Sequence, residues 1–469
     1  MGGGRPAHDI VVLGGGSGGY SCALRAAELG LSVVLVEKDK LGGTCLHRGC
    51  IPTKALLHAG EVADTTREAA RFGVKAEFLG VDLAAVTAYQ DGVVAKMYKG
   101  LTGLVASRGI TVVAGTGRLT SPTTVQVGND TYEGGHVVLA TGSAPSTLPG
   151  LEIDGTHVLT SDHALRLDRV PASAVVLGGG VIGVEFASAW RSLGADVTIV
   201  EALPRLLPLE EESSSRRLER AFRKRGIGFS TGKRFARAER AGDGVRVVLE
   251  DESVLEAEVL LVAVGRRPVS EGLGYAEAGV ATERGHVLVD GLCRTNLPTV
   301  SAVGDLIPTP QLAHVGFAEG ILVAERVAGL PVTPIDYAGV PRVTYSEPEV
   351  ASVGLTTTEA RARGYEIEEV QYDLAGNGKA TILRAAGAVT VLRAKDGPVL
   401  GVHLVGSRMG ELAAEAQLIY NWEAFPEDVA PLLHPHPTQS EALGEAHLAL
   451  AGKPLHVHGP ALHPPPAHP

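Results

Sequence analysis

The sequence has few cysteines, no long apolar run and no excess of positive charge, and each absence excludes a class of protein. Four cysteines in 469 residues exclude a small secreted scaffold held together by disulfides. No apolar stretch reaches the roughly 18 residues of a membrane span, and the first residues contain no apolar signal core. A net charge of −11 argues against a protein that follows nucleic-acid phosphates. We therefore expect a soluble, cytoplasmic protein with neither nucleic acid nor membrane as a partner.

Two stretches of the chain share one pattern: a buried strand, a glycine-rich turn, a helix and a second strand that ends in an acid. The turns occupy 14–19 and 178–183, and the acids are Glu37 and Glu201. The first glycine and the acid are 23 positions apart in each copy, 14 to 37 and 178 to 201. A single G-x-G-x-x-G motif is weak evidence, but two copies at equal spacing predict two βαβ units that bind dinucleotides.

Each glycine turn lets the backbone approach a pyrophosphate and directs a helix N-terminus at it. The acid after the second strand is placed to accept hydrogen bonds from ribose hydroxyls. Because a carboxylate repels a 2′-phosphate, Glu201 favours NAD over NADP at the second turn, although the nearby Arg205 keeps NADP open. A tight strand–helix turn without a ligand is the structural alternative.

The remaining patterns predict further strands. One β segment is expected at 111–119 and another at 124–127, and 244–250 alternates like the edge strand of a hairpin. From about residue 342 the pattern changes to an antiparallel sheet with a helix beside it at 410–421. The fold class is therefore α/β, with two Rossmann-like domains of the three-layer ββα type and a C-terminal α+β domain.

Two of the cysteines lie in the segment GGTCLHRGCIPTK at 42–54. Four residues separate Cys45 from Cys50, so a disulfide between them needs local distortion and is suited to exchange rather than to stability. A metal site and a structural bridge are the alternatives, but no second Cys/His pair with zinc spacing is visible. Lys54 lies four residues after Cys50, on the same helical face.

A second candidate group lies near the C-terminus, where His436 stands among prolines and Glu441 follows five residues later. A histidine in such a setting is often a solvated loop residue. Held by a carboxylate, it is a base that activates thiols.

The segment at 42–54 resembles the redox-active segment of the pyridine nucleotide–disulfide oxidoreductases. The resemblance runs from Asp9 to about Leu450 and includes the turns at 140–142 and 304–305 and the segments 345–350 and 434–441. The dihydrolipoamide dehydrogenase branch is the most similar. The chain departs from the usual family pattern at His47 and Arg48, where Asn and Val are common.

The resemblance implies a domain order. It places the FAD-binding domain at 1–150 and 273–340, the NAD-binding domain at 151–272, the dimerisation domain at 341–452 and a disordered His/Pro-rich tail at 453–469.

The resemblance also implies site residues. The catalytic residues would be Cys45, Cys50, His436 and Glu441. Contacts to FAD would come from Gly14, Gly16, Gly19, Glu37, Gly43, Thr44, Lys54, Gly117, Thr141, Gly142, Ser143, Asp305 and Ala313. The NAD site would hold Gly178, Gly180, Gly183, Glu185, Glu201 and Gly265. Lys54 would lie near the flavin, paired with Glu185, and no metal is expected.

The implied reaction is the oxidation of dihydrolipoamide by a homodimer, with the substrate carried on a lipoyl domain of an acyltransferase or carrier protein. Cys45 would be the sulfur that exchanges with substrate, Cys50 the one nearer the flavin, and His436 would reach the disulfide of the partner subunit. Reduction of glutathione, another small disulfide or a quinone, or a redox-sensing role without catalysis, stays open. Mercuric ion reduction is disfavoured because no cysteine follows Cys293.

Overall fold

The computed structural model describes residues 7–457 of the chain, which form two compact units. The predicted tail at 453–469 therefore lies mostly outside the described residues. The first unit takes in the chain up to Gly178, then Ser192–Ala195 and Ala236–Tyr337; the second takes in Gly179–Arg191, Asp196–Phe235 and the chain from Ala338 onward.

The helices and strands follow one another along the whole described chain. The helices are α1 (Ser17–Glu28), α2 (Gly43–Arg48), α3 (Cys50–Glu68), α4 (Leu83–Ser107), α5 (Ser161–Ala164), α6 (Val181–Leu193), α7 (Glu212–Arg225), α8 (Ala313–Val327), α9 (Thr357–Ala362), α10 (Gly378–Leu383), α11 (Ala413–Asn421), α12 (Pro426–Val429) and α13 (Glu441–Leu450). The strands are β1 (His8–Leu13), β2 (Val33–Glu37), β3 (Thr111–Ala114), β4 (Gly117–Ser121), β5 (Thr124–Val127), β6 (Asp130–Leu139), β7 (Ser143–Pro145), β8 (Val158–Leu159), β9 (Ser173–Leu177), β10 (Asp196–Glu201), β11 (Gly228–Thr231), β12 (Phe235–Ala241), β13 (Gly244–Leu249), β14 (Val254–Ala257), β15 (Val259–Val262), β16 (Arg266–Pro268), β17 (Thr282–Glu283), β18 (His286–Val287), β19 (Val300–Ala302), β20 (Arg342–Thr344), β21 (Glu349–Gly354), β22 (Ile367–Asp373), β23 (Ala388–Ala394) and β24 (Val399–Gly406).

The main sheet of the first unit has a parallel core in the order β3-β2-β1-β6, with β19 also paired to β6. Val11 lies opposite Val34 on one side and Val137 on the other. All three side chains are fully buried, which explains why β1 and β2 read as uninterrupted aliphatic runs, since parallel strands are covered on both faces. Beyond β6, the strands β5 and β4 continue the sheet in antiparallel pairing.

Helices α1 and α8 of this unit pack at very short range. A Cβ atom at Gly320 would lie 2.3 Å from Ser21 Oγ and 2.4 Å from the Gly18 carbonyl oxygen. Only a residue without a side chain allows this approach, so Gly320 sets how closely α8 lies against the start of α1.

The second unit is built around an antiparallel sheet in the order β20-β21-β24-β23-β22. Helices α11 and α13 pack on it and bury Ala416 and Leu443 against Val389 and Leu404 of the strands. This arrangement confirms the predicted C-terminal α+β layer, and the parallel sheet of the first unit confirms the α/β class.

Two predicted strands differ from the observed ones. The segment 111–119 forms β3 and β4, separated at Gly115, whose φ of 145° is a conformation that other residues rarely adopt. The segment at 244–250 was expected at an edge, but β13 is the middle strand between β12 and β14. Only Arg246 is exposed among residues 245–249, and the burial of Val247, Val248 and Leu249 in succession fits a strand that has a neighbour on each side.

No helix among residues 7–457 is both long and apolar enough to cross a membrane.

Two glycine substitutions test this packing. Gly320→Ala places a methyl group against the backbone of α1, and we expect it to lower stability by about 1–3 kcal/mol. Gly100→Ala on α4 meets nothing within 4 Å and should raise stability by roughly 0.5–1 kcal/mol, because alanine loses less entropy in a helix. Thermal unfolding of the two variants checks both predicted changes in stability, the decrease for Gly320→Ala and the increase for Gly100→Ala. An unchanged midpoint for Gly320→Ala would contradict the close contact.

Candidate active site

The two glycine turns are closed in the same way by the acid that ends the next strand. Glu37 accepts hydrogen bonds from the amides of Gly15, at 2.6 Å, and Asp39, at 2.8 Å. Glu201 accepts them from the amides of Gly179, at 2.6 Å, and Leu203, at 2.7 Å. Each carboxylate thus holds its own turn. Because a carboxylate oxygen can accept more than one hydrogen bond, the predicted bonds to ribose hydroxyls stay possible.

The first turn has the shape that a pyrophosphate requires. Gly14 has a φ of 109°, and a Cβ atom there would lie 2.3 Å from the Ala140 carbonyl oxygen. Gly16 is the N-cap of α1 and has open space where its Cβ would be. The free amides at the start of α1 therefore face an uncrowded cradle, which suits a phosphate group.

The segment that carries the two nearby cysteines lies directly on this turn. A Cβ atom at Gly43 would come within 2.7 Å of Gly16 Cα, so the two backbones touch. Helix α2 ends at Gly49, whose φ and ψ of −141° and −112° break the helix, and Cys50 opens α3. The break between α2 and α3 supplies the local distortion that the spacing of the cysteines requires.

The sulfurs of Cys45 and Cys50 are present as thiols and are within hydrogen-bonding reach of each other. The pKa of Cys45 lies far above its ordinary value, chiefly because its thiol is hydrogen-bonded to Cys50 and also because of burial; Lys54 and a hydrogen bond from Ser17 act in the opposite direction. Negative charge on Cys50 also raises the pKa of the Cys45 thiol.

Two residues near the sulfurs were missed in the sequence, Ser17 and Tyr20 on α1. Ser17 is hydrogen-bonded to Cys45. Burial, and then the nearby Cys45 and Cys50, raise the pKa of Tyr20 to about 12, and its ring packs against Phe317 at 5.6 Å. The signal was available for Ser17, because it lies inside the glycine motif itself, whereas nothing in the pattern marks Tyr20.

His47 and Arg48, the two departures from the usual family pattern, both have partners in the first unit. His47 Nε2 lies 2.8 Å from the Leu41 carbonyl oxygen, and its ring meets the edge of Tyr98. Arg48 forms an ion pair with Asp39 at 3.2 Å. These contacts tie α2 to the surrounding chain.

A second cluster of predicted residues forms around Asp305. Ser143 Oγ donates to Asp305 Oδ2 at 2.5 Å, and Arg266 donates to Ser143 Oγ at 2.7 Å and to its carbonyl oxygen at 2.9 Å. Ser143 and Asp305 were predicted as FAD contacts, whereas Arg266 was not singled out. Its carbon stem and guanidinium join β16 to β7, so it fixes the serine that holds Asp305.

The other predicted FAD contacts are distributed along the same unit. Thr141 Oγ1 donates to the Val269 carbonyl oxygen at 2.6 Å, and Gly142 has a φ of 68°. Gly117 is packed so tightly that a Cβ would lie 2.4 Å from the Leu13 side chain. Ala313 is the first residue of α8.

Of the predicted NAD residues, Gly178, Gly180 and Gly183 lie in the second glycine turn, Glu185 on α6, Glu201 at the end of β10, and Gly265 just before β16. Gly180 has open space at its Cβ position, as Gly16 does, and Gly265 has a φ of 117°. Glu185 is buried and accepts a hydrogen bond from the Tyr345 amide at 2.9 Å. Lys54 and Glu185 lie in different units, and their pairing stays a prediction.

His434 and His436, two positions apart in the loop before α13, each contact a carboxylate but differ in exposure. His436 Nδ1 lies 2.8 Å from Glu441 Oε1, and its side chain is 77% exposed. His434 Nε2 lies 2.7 Å from Glu415 Oε1, and its side chain is 11% exposed. The hydrogen bond to Glu415 raises the pKa of His434. Of these two rings, that of His436 is the one that is both oriented and accessible.

Glu441 is itself held in place by the loop before α13. It accepts a hydrogen bond from the Thr438 amide at 2.8 Å. Burial alone would raise the pKa of Glu441, but the bonds from Thr438 and His436 outweigh it and keep that pKa below its ordinary value. An ionised carboxylate beside Nδ1 orients the imidazole and leaves Nε2 to face a reactant.

The residues of the first unit fit a flavin dinucleotide. The open cradle at Gly16 and the contact between Gly43 and Gly16 place a phosphate site next to the cysteine pair. Among residues 7–457, no group of three or more His, Cys, Asp and Glu side chains is arranged to hold a metal ion.

Comparison with known proteins agrees with this geometry. The family model for pyridine nucleotide-disulphide oxidoreductases matches residues 8–320, and the model for the dimerisation domain of that family matches residues 340–447. The dihydrolipoyl dehydrogenase of Bacillus subtilis is 41% identical over 469 residues, covering 96% of this chain and 99% of that protein. A leghemoglobin reductase of Vigna unguiculata is 38% identical over 470 residues, covering 97% of this chain and 90% of that protein.

Among solved structures, LpdA from Mycobacterium tuberculosis superposes with a TM-score of 0.89 at 28% identity, covering 95% of this chain and 100% of that one. Two family models that together match most of the chain, and relatives that align over nearly its full length, therefore agree on the family. The chain belongs to the pyridine nucleotide-disulphide oxidoreductase family.

Proposed function

We propose that this protein is an NAD-dependent dihydrolipoamide dehydrogenase that uses FAD. The observation that carries the proposal is the contact of Gly43 with Gly16, which puts a pair of vicinal thiols directly beside a dinucleotide-binding turn. The similarity over the full length of dihydrolipoyl dehydrogenases supports a dithiol as the substrate.

The reaction at sulfur begins with Cys45 and Cys50 joined as a disulfide. A base removes a proton from one substrate thiol, and the thiolate attacks Cys45, so that Cys50 leaves as a thiolate. The second substrate sulfur then attacks the first and releases Cys45. The substrate leaves as a cyclic disulfide, and the two cysteines hold the two electrons it has lost.

Features of α1 and α3 support the release of these thiolates. Ser17 donates a hydrogen bond to the Cys45 sulfur, and the Lys54 ammonium lies near it, and both lower the pKa of that thiol. The chemistry supplied by bound FAD is two-electron transfer from the reduced cysteine pair to NAD⁺. The residues that would hold it are those of the first turn, Gly43, Ser143 and Asp305.

The base in this proposal is His436, with Glu441 as its orienting partner. The bond of 2.8 Å between them and the exposure of His436 suit a residue that acts on a substrate bound to another subunit. The match of residues 340–447 to a dimerisation domain supports a homodimer in which each His436 serves the partner's cysteine pair.

NAD is the preferred nicotinamide cofactor in this proposal. Glu201 holds the second turn through both oxygens, and its charge opposes a 2′-phosphate. Arg205, the residue that kept NADP open, donates instead to the Pro208 carbonyl oxygen at 2.9 Å. One amino group of the guanidinium is thus engaged within its own loop, whereas the buried Nε has no hydrogen-bond partner among the described residues.

The physiological reductant in this proposal is dihydrolipoamide on a lipoyl domain of an acyltransferase or carrier protein. The net charge of −11 suits docking to a basic surface, and salt would then weaken the complex. A cytoplasmic location stays a prediction from the sequence.

A substrate panel with Cys45→Ser tests the function. The variant should keep its bound yellow flavin and lose turnover of lipoamide with NADH by roughly a thousandfold or more, because no sulfur remains to exchange with substrate. Steady-state rates with lipoamide, oxidised glutathione and a quinone, each with NADH and NADPH, provide the measurement.

The matched control is Cys22→Ala, since Cys22 is fully buried and should leave the rates unchanged. If the wild-type protein turns over glutathione but not lipoamide, the substrate is glutathione and the proposed substrate is wrong. Lipoamide turnover that survives in Cys45→Ser would contradict the disulfide mechanism.

The His436→Gln variant tests the base. Loss of a general base costs on the order of 10²–10⁴-fold, so turnover of dihydrolipoamide should fall by that factor while reduction of the flavin by NADH stays unchanged. Stopped-flow absorbance separates the two steps.

His434→Gln is the control for a structural effect in the same loop. It replaces a titrating imidazole by a neutral amide. The hydrogen bond to Glu415 raises the pKa of His434, so the stabilisation from protonated His434 is present at low pH and is lost as the pH rises through that pKa. The difference in thermal midpoint from wild type should narrow toward alkaline pH, with turnover nearly intact. If His436→Gln and His434→Gln lose turnover equally, His436 is not the catalytic base.

A further inference from the structure

Helix α8 carries a fully buried carboxylate, Glu319, that the mechanism above does not use. A buried carboxylate is costly unless several donors satisfy its oxygens. Its surroundings therefore indicate why the position holds an acid.

Three donors from three segments converge on Glu319. The Gly304 amide donates to Oε2 at 2.6 Å, and Thr309 Oγ1 and Tyr337 Oη donate to Oε1 at 2.8 Å and 3.0 Å. Burial, with the charge of Asp305 nearby, raises the pKa of Glu319, while the three hydrogen bonds lower it. The Glu319 carboxylate thus accepts hydrogen bonds from all three of these segments.

The Gly304 amide is the most consequential of the three donors. Gly304 has a φ of 71° and begins the 3-10 turn at Gly304–Leu306. Asp305, the next residue, holds the hydrogen bond of 2.5 Å from Ser143. Fixing the Gly304 amide therefore fixes the backbone that presents Asp305.

The residue after Glu319 contacts the other end of the flavin site. Gly320 lets α8 approach α1 so closely that a Cβ there would lie 2.4 Å from the Gly18 carbonyl oxygen. Helix α1 starts at the first glycine turn. Two consecutive residues of α8 thus contact the Asp305 turn and the helix of the phosphate turn.

We propose that Glu319 is a positioning residue for FAD, which holds the Asp305 turn at a fixed distance from the phosphate turn. The dinucleotide must reach both turns at once, so their separation determines how well the two ends bind together. The inference rests on the proposed FAD contacts of Asp305 and the first turn, and it does not depend on which disulfide or dithiol is the substrate.

The test compares binding of FAD and ADP to the apoprotein. Glu319→Met keeps the side-chain length and removes both acceptors. We expect affinity for FAD to fall at least tenfold (about 1.4 kcal/mol), because FAD needs both turns. Affinity for ADP should stay within about twofold, because ADP occupies only the phosphate and adenosine end. Flavin fluorescence quenching and calorimetry provide the two dissociation constants.

Glu319→Gln is the conservative variant. Its oxygen can still accept from the Gly304 amide, and its amide group can donate to the hydroxyls of Thr309 and Tyr337, which can rotate to accept. It should keep FAD affinity within about threefold of wild type.

Glu325→Met is the matched control on the same helix, because Glu325 bonds to Arg25 of α1 at 2.6 Å and touches neither turn. It should bind FAD as the wild type does. Equal loss of FAD and ADP affinity in Glu319→Met, or an FAD affinity equal to that of wild type, would overturn the proposal.

If Glu319→Met is not recovered folded, the double variant Thr309→Val, Tyr337→Phe is the test. It keeps the carboxylate and removes the two donors on Oε1, so FAD affinity should fall at least about threefold with ADP affinity retained. Unchanged FAD affinity in that variant rejects the proposal.

A wild-type protein that binds FAD but does not turn over lipoamide would refute the proposed function. It would leave the positioning role of Glu319 unaffected.

Discussion

The backbone contact between Gly43 and Gly16 is the constraint on which the rest of the site depends. A Cβ atom at Gly43 would lie 2.7 Å from Gly16 Cα, so neither a larger residue nor a different path of α2 is compatible with it. The contact brings the cysteine pair to the N-terminus of α1, where free amides favour negative charge. Phosphate binding and thiol chemistry consequently share one helix end, and a change at either position affects both.

Ionisable groups near the N-terminus of α1 are each controlled by their hydrogen-bond partners and neighbouring charges. The hydrogen bond to Cys50 and burial raise the pKa of the Cys45 thiol, while Lys54 and Ser17 lower it. Glu37 accepts hydrogen bonds from two backbone amides, and Glu319 accepts them from the Gly304 amide and from two side-chain hydroxyls. These acids hold turns, whereas in the proposed mechanism the sulfurs of Cys45 and Cys50 exchange electrons.

Much of the site was predictable because its chemistry demands particular residue types at particular spacings. The two glycine turns, the acids 23 positions later and the Cys45–Cys50 segment each mark a local structure, and the fold class followed from the repeat. The middle position of β13 was not predictable, since pairing partners are set by contacts far along the chain. The same limit applies to Tyr20, Arg266 and Glu319, which act through neighbours that only the fold brings together.

The central claim is that Cys45 and Cys50 alone exchange electrons with bound cofactors. Thiol titration of the unfolded protein, before and after anaerobic treatment with NADH, tests it most directly. Of the four cysteines, Cys22 and Cys293 are buried as free thiols, and burial makes such thiols inert to oxidation. We predict two titratable thiols in the oxidised FAD-loaded protein and four after NADH. Four thiols in both states, or two in both, would contradict it.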